Sequence, residues 1–132
     1  MSQENVKTAA DAYRAMQDRD FSAFLAFLHD DVEWRQDERS VEPGTYHGHD
    51  GVLKFYESLY ETFEDFVAVP ERYFDAGDQV VAFLHIRGSG QTSGITIDND
   101  VANVLEFREG KIALLQIYLD RAEALEAVGL SE

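Results

Sequence analysis

The chain has no cysteine, which removes disulfides and thiolate metal ligands and fits a reducing, cytoplasmic setting. Lysine is almost as scarce. Lys7, Lys54 and Lys111 are the only ones, and lysine plus arginine total 11 against 26 acidic residues, a formal net charge of -15. Such a surface repels phosphate backbones and anionic lipids, so neither a nucleic-acid partner nor a membrane surface is expected. An acid-rich surface with few lysines is compatible with a salt-loving source, where self-repulsion is screened, and with an acidic mesophilic one. No apolar run reaches the roughly 18 residues of a membrane-spanning helix. The opening Met1-Ser2-Gln3-Glu4-Asn5 lacks the basic start and apolar stretch of a signal peptide, a second reason to expect a cytoplasmic protein.

What is present suits one compact unit. A length of 132 residues and a hydrophobic fraction of 45% predict a single domain over 1–132 with one substantial core. Val6, Ala9, Ala10, Tyr13 and Met16 recur at helical spacing and predict a helix over 4–18. Asp20 or Ser22 begins a second, short helix with Phe21, Phe24, Leu25, Phe27 and Leu28 on its apolar face. His29-Asp30-Asp31 ends it, and Val32 to Gln36 alternates as a strand before a polar loop over 37–47. A third helix starts at His49 or Asp50 and buries Val52, Phe55, Tyr56, Leu59, Tyr60 and Phe63.

From Phe66 the period becomes two. Phe66 to Phe74 reads as a strand whose Pro70 marks an edge or a bulge. Val80 to Arg87 follows, then a glycine-rich connection Gly88-Ser89-Gly90-Gln91-Thr92-Ser93-Gly94, then a strand over Ile95 to Phe107. Arg108-Glu109-Gly110-Lys111 is a hairpin turn into a strand over Ile112 to Leu119, with Gly110 able to take a positive φ. Asp120 caps a closing helix that Gly129 stops. Helices first and long antiparallel strands after predict an α+β fold: a cone-shaped, strongly curved, mostly antiparallel sheet on three N-terminal helices, enclosing a pocket.

This order and several local signatures resemble the nuclear-transport-factor-2-like superfamily, in particular its SnoaL-like group of polyketide-cyclase relatives. The likeness rests on Leu28-His29-Asp30-Asp31-Val32-Glu33-Trp34, Tyr46-His47-Gly48-His49-Asp50-Gly51-Val52, Ser93-Gly94, and Phe107-Arg108-Glu109-Gly110-Lys111-Ile112 through Tyr118-Leu119-Asp120-Arg121-Ala122-Glu123-Ala124-Leu125. The superfamily mixes isomerases, cyclases, epoxide hydrolases, dehydratases and binders, so the resemblance implies a fold more than an activity. Similarity to ketosteroid isomerases places their general-base aspartate at Gln36, or at Asp37 with an offset of one. Their oxyanion-hole aspartate falls on Asn103, and their helix tyrosine on Ala12, with Tyr13 next in sequence about 100° round the helix. The water-activating aspartate of limonene-epoxide-hydrolase relatives falls on Ile117.

The comparison implies that Trp34, Gln36, Tyr56, Phe83, His85, Arg87, Asn103, Leu115, Ile117 and Leu119 face inward. The alternation of Val81, Phe83 and His85, and of Leu115, Ile117 and Leu119, agrees with shared faces. The site expected is therefore His85 as acid/base, with Asn103 and Tyr56 as donors to a substrate carbonyl. Trp34, Gln36, Phe83, Arg87, Ile117 and Leu119 are expected to bind substrate. His85 and Asn103 satisfying one another or a buried water is the structural alternative. An ion pair of Arg87 with Asp37 or Asp98 is expected ahead of a hold on an acidic substrate. Asp37, Glu38 and Glu42 are candidate bases on a loop over the cavity, although a solvated loop accounts for them more simply.

His47-Gly48-His49-Asp50 has the wrong spacing for ligands on one helical face, so no metal is expected, and the glycines at 88, 90 and 94 do not make a dinucleotide fingerprint. No cofactor is expected. The function expected is cofactor-independent isomerase, cyclase or lyase chemistry by proton transfer on a small apolar carbonyl compound, or non-catalytic binding of such a molecule. Leu114, Gln116 and Tyr118 have no evident helix cover, which predicts a homodimer through the outer sheet face.

Overall fold

The computed structural model describes residues 2–40, 42–90 and 94–131. Helices α1 (Ser2–Gln17) and α2 (Phe21–Ala26) come first, then strands β1 (Leu28–Gln36) and β2 (Gly44–His47), and helix α3 (Gly48–Thr62). Strands β3 (Val67–Ala76), β4 (Gln79–Ser89), β5 (Thr96–Arg108) and β6 (Lys111–Tyr118) follow, and α4 (Arg121–Ala127) closes the chain. Asp20 and Asp120 cap α2 and α4 by accepting from the backbone N–H groups of Ala23 and Ala122, as short polar side chains before an apolar turn should.

The six strands form one sheet in the order β2-β1-β6-β5-β4-β3, antiparallel except for the β1–β6 pair. The sheet curls over α1, α2 and α3. Pro70 sits on the edge strand β3, beside a register shift between Pro70 and Arg72, where a residue without an N–H costs no internal ladder bond. The β5–β6 turn has φ of 56° at Glu109 and 77° at Gly110. Two central residues with positive φ match the right-handed strand twist, so the tight turn suits the two long strands it joins.

Three expectations change. Strand β1 begins at Leu28, so His29-Asp30-Asp31 is strand and not a helix stop. The loop over 37–47 contains β2, whose Tyr46 pairs with Trp34. Gly88 and Ser89 end β4 instead of opening a flexible connection; Gln91, Thr92 and Ser93 lie outside the described residues. Gly88 has a packing reason to be glycine, since a Cβ there would lie 3.2 Å from the Cβ of Phe63.

The main core lies between the sheet and the first three helices, and a second apolar cluster lies on the other sheet face. There Ala124 and Leu125 of α4 cover Val81, Phe83, Ala102 and Val104, with Tyr118 at the margin. Tyr118 is thus partly covered, contrary to expectation, whereas Leu114 belongs to neither cluster.

Candidate functional site

The wide end of the cone holds a cavity of about 440 Å³. Its walls come from α1, α3 and every strand except β2, together with the loop that follows β1. Trp34, Leu115 and Ile117 line it, as does Leu119 just past β6.

Strand β5 contributes Ile97, Asn99, Val101 and Asn103 to the cavity. Their cross-strand partners decide which face of β4 is inward: Asn103 stands opposite Ala82, and Val101 opposite Leu84. Leu84 and Ile86 therefore line the cavity, while Phe83 and His85 point to the other side. This overturns the inward placement of Phe83 and His85. Val80 to Leu84 is an unbroken apolar run because α4 covers the outer face and the helices the inner one. A strand buried on both faces has no polar alternation to reveal its parity.

His85 instead bridges two carboxylates on the outside, with Nε2 2.6 Å from Asp98 and Nδ1 2.7 Å from Asp100. The hydrogen bond to Asp100, reinforced by Asp98, raises the His85 pKa, and the same bond lowers that of Asp100. Arg121 extends the group: it pairs with Glu71, donates to the carbonyls of Leu84 and Val101, and lies over the Phe83 ring. His85 thus ties β4 to β5, and Asp100 in turn lies 3.6 Å from Arg121 at the start of α4. Arg87 is exposed at the cavity rim without the expected ion pair, because Asp98 is held by His85 and Asp37 by Arg39. The Arg39 guanidinium holds the Asp37 carboxyl down to about 2.

Asn103 is buried in the cavity wall. Its Nδ2 donates to the Tyr13 hydroxyl at 2.7 Å, and its Oδ1 is buried without a partner among the described residues. The resemblance puts the family's helix tyrosine at Ala12, whereas the tyrosine that reaches the cavity wall is Tyr13. A shift of one residue would have found it. Burial pushes the Tyr13 hydroxyl pKa far up, so the group stays protonated. Its oxygen accepts from Asn103, which leaves its own hydrogen to be donated. The Asn103 Nδ2 expected to donate to a substrate carbonyl is thus engaged by Tyr13. The pair presents one O–H donor and one carbonyl acceptor side by side.

Tyr56 stands in an aromatic box, its ring 4.8 Å from Phe55, 5.7 Å from Phe24 and 6.2 Å from Trp34. Burial raises its pKa, and the nearby Tyr13 hydroxyl adds to the rise, while a hydrogen bond with the Trp34 indole opposes it. Gln36 lines the cavity at the position where the resemblance places a carboxylate base. The one carboxylate lining it among the described residues is Glu42, on the loop before β2. Burial, with the negative charge of Glu61, raises the pKa of Glu42. Ser40, on the same loop, has a buried Oγ without a partner among the described residues. His47-Gly48-His49 forms the turn into α3, with Gly48 at φ 70° and the His49 ring 3.1 Å from the Leu28 carbonyl.

No curated protein matches the sequence. Solved structures do match, over almost the whole chain. An NTF2-like protein of unknown function from Burkholderia pseudomallei is 24% identical with a TM-score of 0.79, over 96% of this chain and 98% of that one. TerC, crystallised with polyporic acid, is 25% identical with a TM-score of 0.78, over 95% and 98%. A Mycobacterium tuberculosis protein in complex with estradiol-17β-hemisuccinate is 18% identical with a TM-score of 0.75, over 89% and 94%. The model of the SnoaL-like domain matches residues 9–115. With the curved sheet, the three helices beneath it and this match over most of its length, the chain belongs to the SnoaL-like domain family, within the NTF2-like fold.

Proposed function

We propose that this protein binds a small, mostly apolar carbonyl compound in its cone and catalyses a cofactor-independent isomerase, cyclase or lyase reaction by proton transfer beside the carbonyl. The observation that carries this reading is the buried Tyr13–Asn103 pair in the wall of the cavity, beside the apolar side chains of Val101, Leu115 and Ile117. A ketone oxygen accepts from Tyr13 and leaves Asn103 Oδ1 unsatisfied. The enol accepts from Tyr13 and donates to Oδ1, so it meets both groups. Enolisation moves one proton from the adjacent carbon to the carbonyl oxygen, so no proton is gained or lost overall. The C–H electron pair becomes the C=C bond as the carbonyl π electrons move onto oxygen, which becomes more basic along the way. The pair then binds the altered oxygen better than the ground state, which is what accelerates a step.

The relatives crystallised with polyporic acid and with estradiol-17β-hemisuccinate support a small-molecule site in this fold. A second reading, a binder without turnover, is favoured by Gln36, an amide that cannot take a proton at the place of the family base. Incubation of the purified protein with a small-molecule extract of its source, followed by mass spectrometry, separates the two. A compound consumed by the wild type and spared by Tyr13→Phe and Asn103→Leu establishes the enzyme. A compound retained unchanged establishes the binder, and a compound consumed equally by all three proteins removes the pair from the site. We also propose a homodimer through the outer face of β6, where Leu114 remains outside the α4-covered cluster. Light scattering that gives a monomer at micromolar concentration sinks that assignment.

A further inference from the structure

Two buried side-chain atoms among the described residues have no hydrogen-bond partner, Asn103 Oδ1 and Ser40 Oγ, and both residues line the same cavity. Buried polar atoms in native proteins are nearly always paired, so two orphans on residues that line one cavity point to a ligand there as the missing partner. Asn103 belongs to the buried wall. Ser40 belongs to the loop at the mouth, next to Glu42, and the faces between them are mainly aliphatic and aromatic.

We propose a second polar subsite at the mouth, made by Ser40 and Glu42, that recognises a hydroxyl group on the end of the ligand remote from Tyr13. The Ser40 O–H needs an acceptor, and the Glu42 carboxylate, which has no hydrogen bond or ion pair among the described residues, needs a donor. One hydroxyl supplies both. An ammonium donates to Glu42 but leaves the Ser40 hydrogen unused, and a ketone or ether leaves Glu42 without a donor, so a hydroxyl alone of these uses both donor and acceptor. Arg39, also at the mouth, does not compete for the same role, because two of its guanidinium nitrogens are held on Asp37 at 3.0 Å. The removal of Glu42 from water, already sufficient to raise its pKa, deepens when an apolar ligand closes the mouth, and a hydroxyl donor offsets that cost. The ligand class is thus an elongated apolar molecule with an oxygen at each end, the outer one a hydroxyl. This rests on the reading of the cavity as a ligand site.

The test is calorimetric titration with two rigid diols of different length, naphthalene-2,6-diol and biphenyl-4,4′-diol, each beside the mono-ol that lacks the second hydroxyl. Wild type is compared with Ser40→Ala/Glu42→Gln, whose substitutions lie on a surface loop and whose melting temperature is checked alongside. A hydrogen bond to a charged acceptor predicts that the better-fitting diol binds about tenfold more tightly than its mono-ol. The double variant should lose that preference and keep the mono-ol affinity. Equal binding of diol and mono-ol to wild type, as when water serves Ser40, overturns the mouth subsite and leaves the inner site standing. A diol preference that survives in the double variant also overturns it. Binding of none of the four compounds overturns the subsite together with the ligand site on which it rests.

Discussion

Replacing the Tyr13–Asn103 pair by Phe and Leu together should leave the protein as stable as wild type or more so, whereas each single replacement should weaken it. The wild-type pair contributes one buried hydrogen bond, about 1 kcal/mol net, and carries an unpaired buried Oδ1 that costs about 1–3 kcal/mol. Tyr13→Phe leaves both the amide nitrogen and the amide oxygen of Asn103 without partners and should cost about 1–3 kcal/mol. Asn103→Leu removes the orphan oxygen but strands the Tyr13 hydroxyl, and should cost about 1 kcal/mol or less. The double variant removes every polar atom at once, so it lies between wild-type stability and a gain of about 2 kcal/mol. The coupling between the two sites is then about 1–6 kcal/mol, well above the few tenths expected of independent positions. Urea unfolding followed by circular dichroism measures it as shifts in midpoint at constant slope. The same double variant should lose ligand binding, since the proposed site places those groups against the ligand oxygen. Single-variant losses that simply add in the double variant would refute the claim that these polar groups depend on one another.

Other expectations concern the rest of the molecule. His85→Leu should leave ligand affinity within about twofold, because the imidazole is outside the cavity, and a larger loss by calorimetry would return His85 to the site. The His85 pKa is raised in the folded state, so its contribution to stability is full below the unfolded value near 6.5 and fades as pH rises through the folded one. Asp100 is lowered, so its contribution is present above about 3.8 and is lost in stronger acid. Wild type should therefore gain melting temperature relative to His85→Leu between about pH 4 and 6.5, and that difference should shrink by pH 8.5. Leu125→Ala opens a cavity under α4 and should cost about 2–5 kcal/mol in urea unfolding. Gly110→Ala should cost about 1 kcal/mol through backbone strain at φ 77° alone, since nothing lies within 4 Å of the added methyl.

The fold was legible because its elements are locally written. Residues three and four apart in α1 and α3, the aspartate caps, Pro70 on an edge and Gly110 in a turn each act over a few neighbours, so each can be read without the rest of the chain. The misses share a physical cause. β2 is four residues long and takes its stability from pairing with β1, which no local pattern announces. Asn103 was legible as a polar residue on an apolar face, but its partner lies 90 positions away on a helix and was missed by one residue.

By itself the sequence determined the chain's α+β order, its helices and hairpin and its family, because periodicity, caps and turn chemistry are short-range properties. Only the tertiary structure decided which side of β4 faces the cavity, since that parity is set by register against β5 and is hidden where both faces are apolar. That parity puts His85 outside the cavity, on Asp98 and Asp100 of β5, and leaves Tyr13 and Asn103 as a polar pair in the cavity wall.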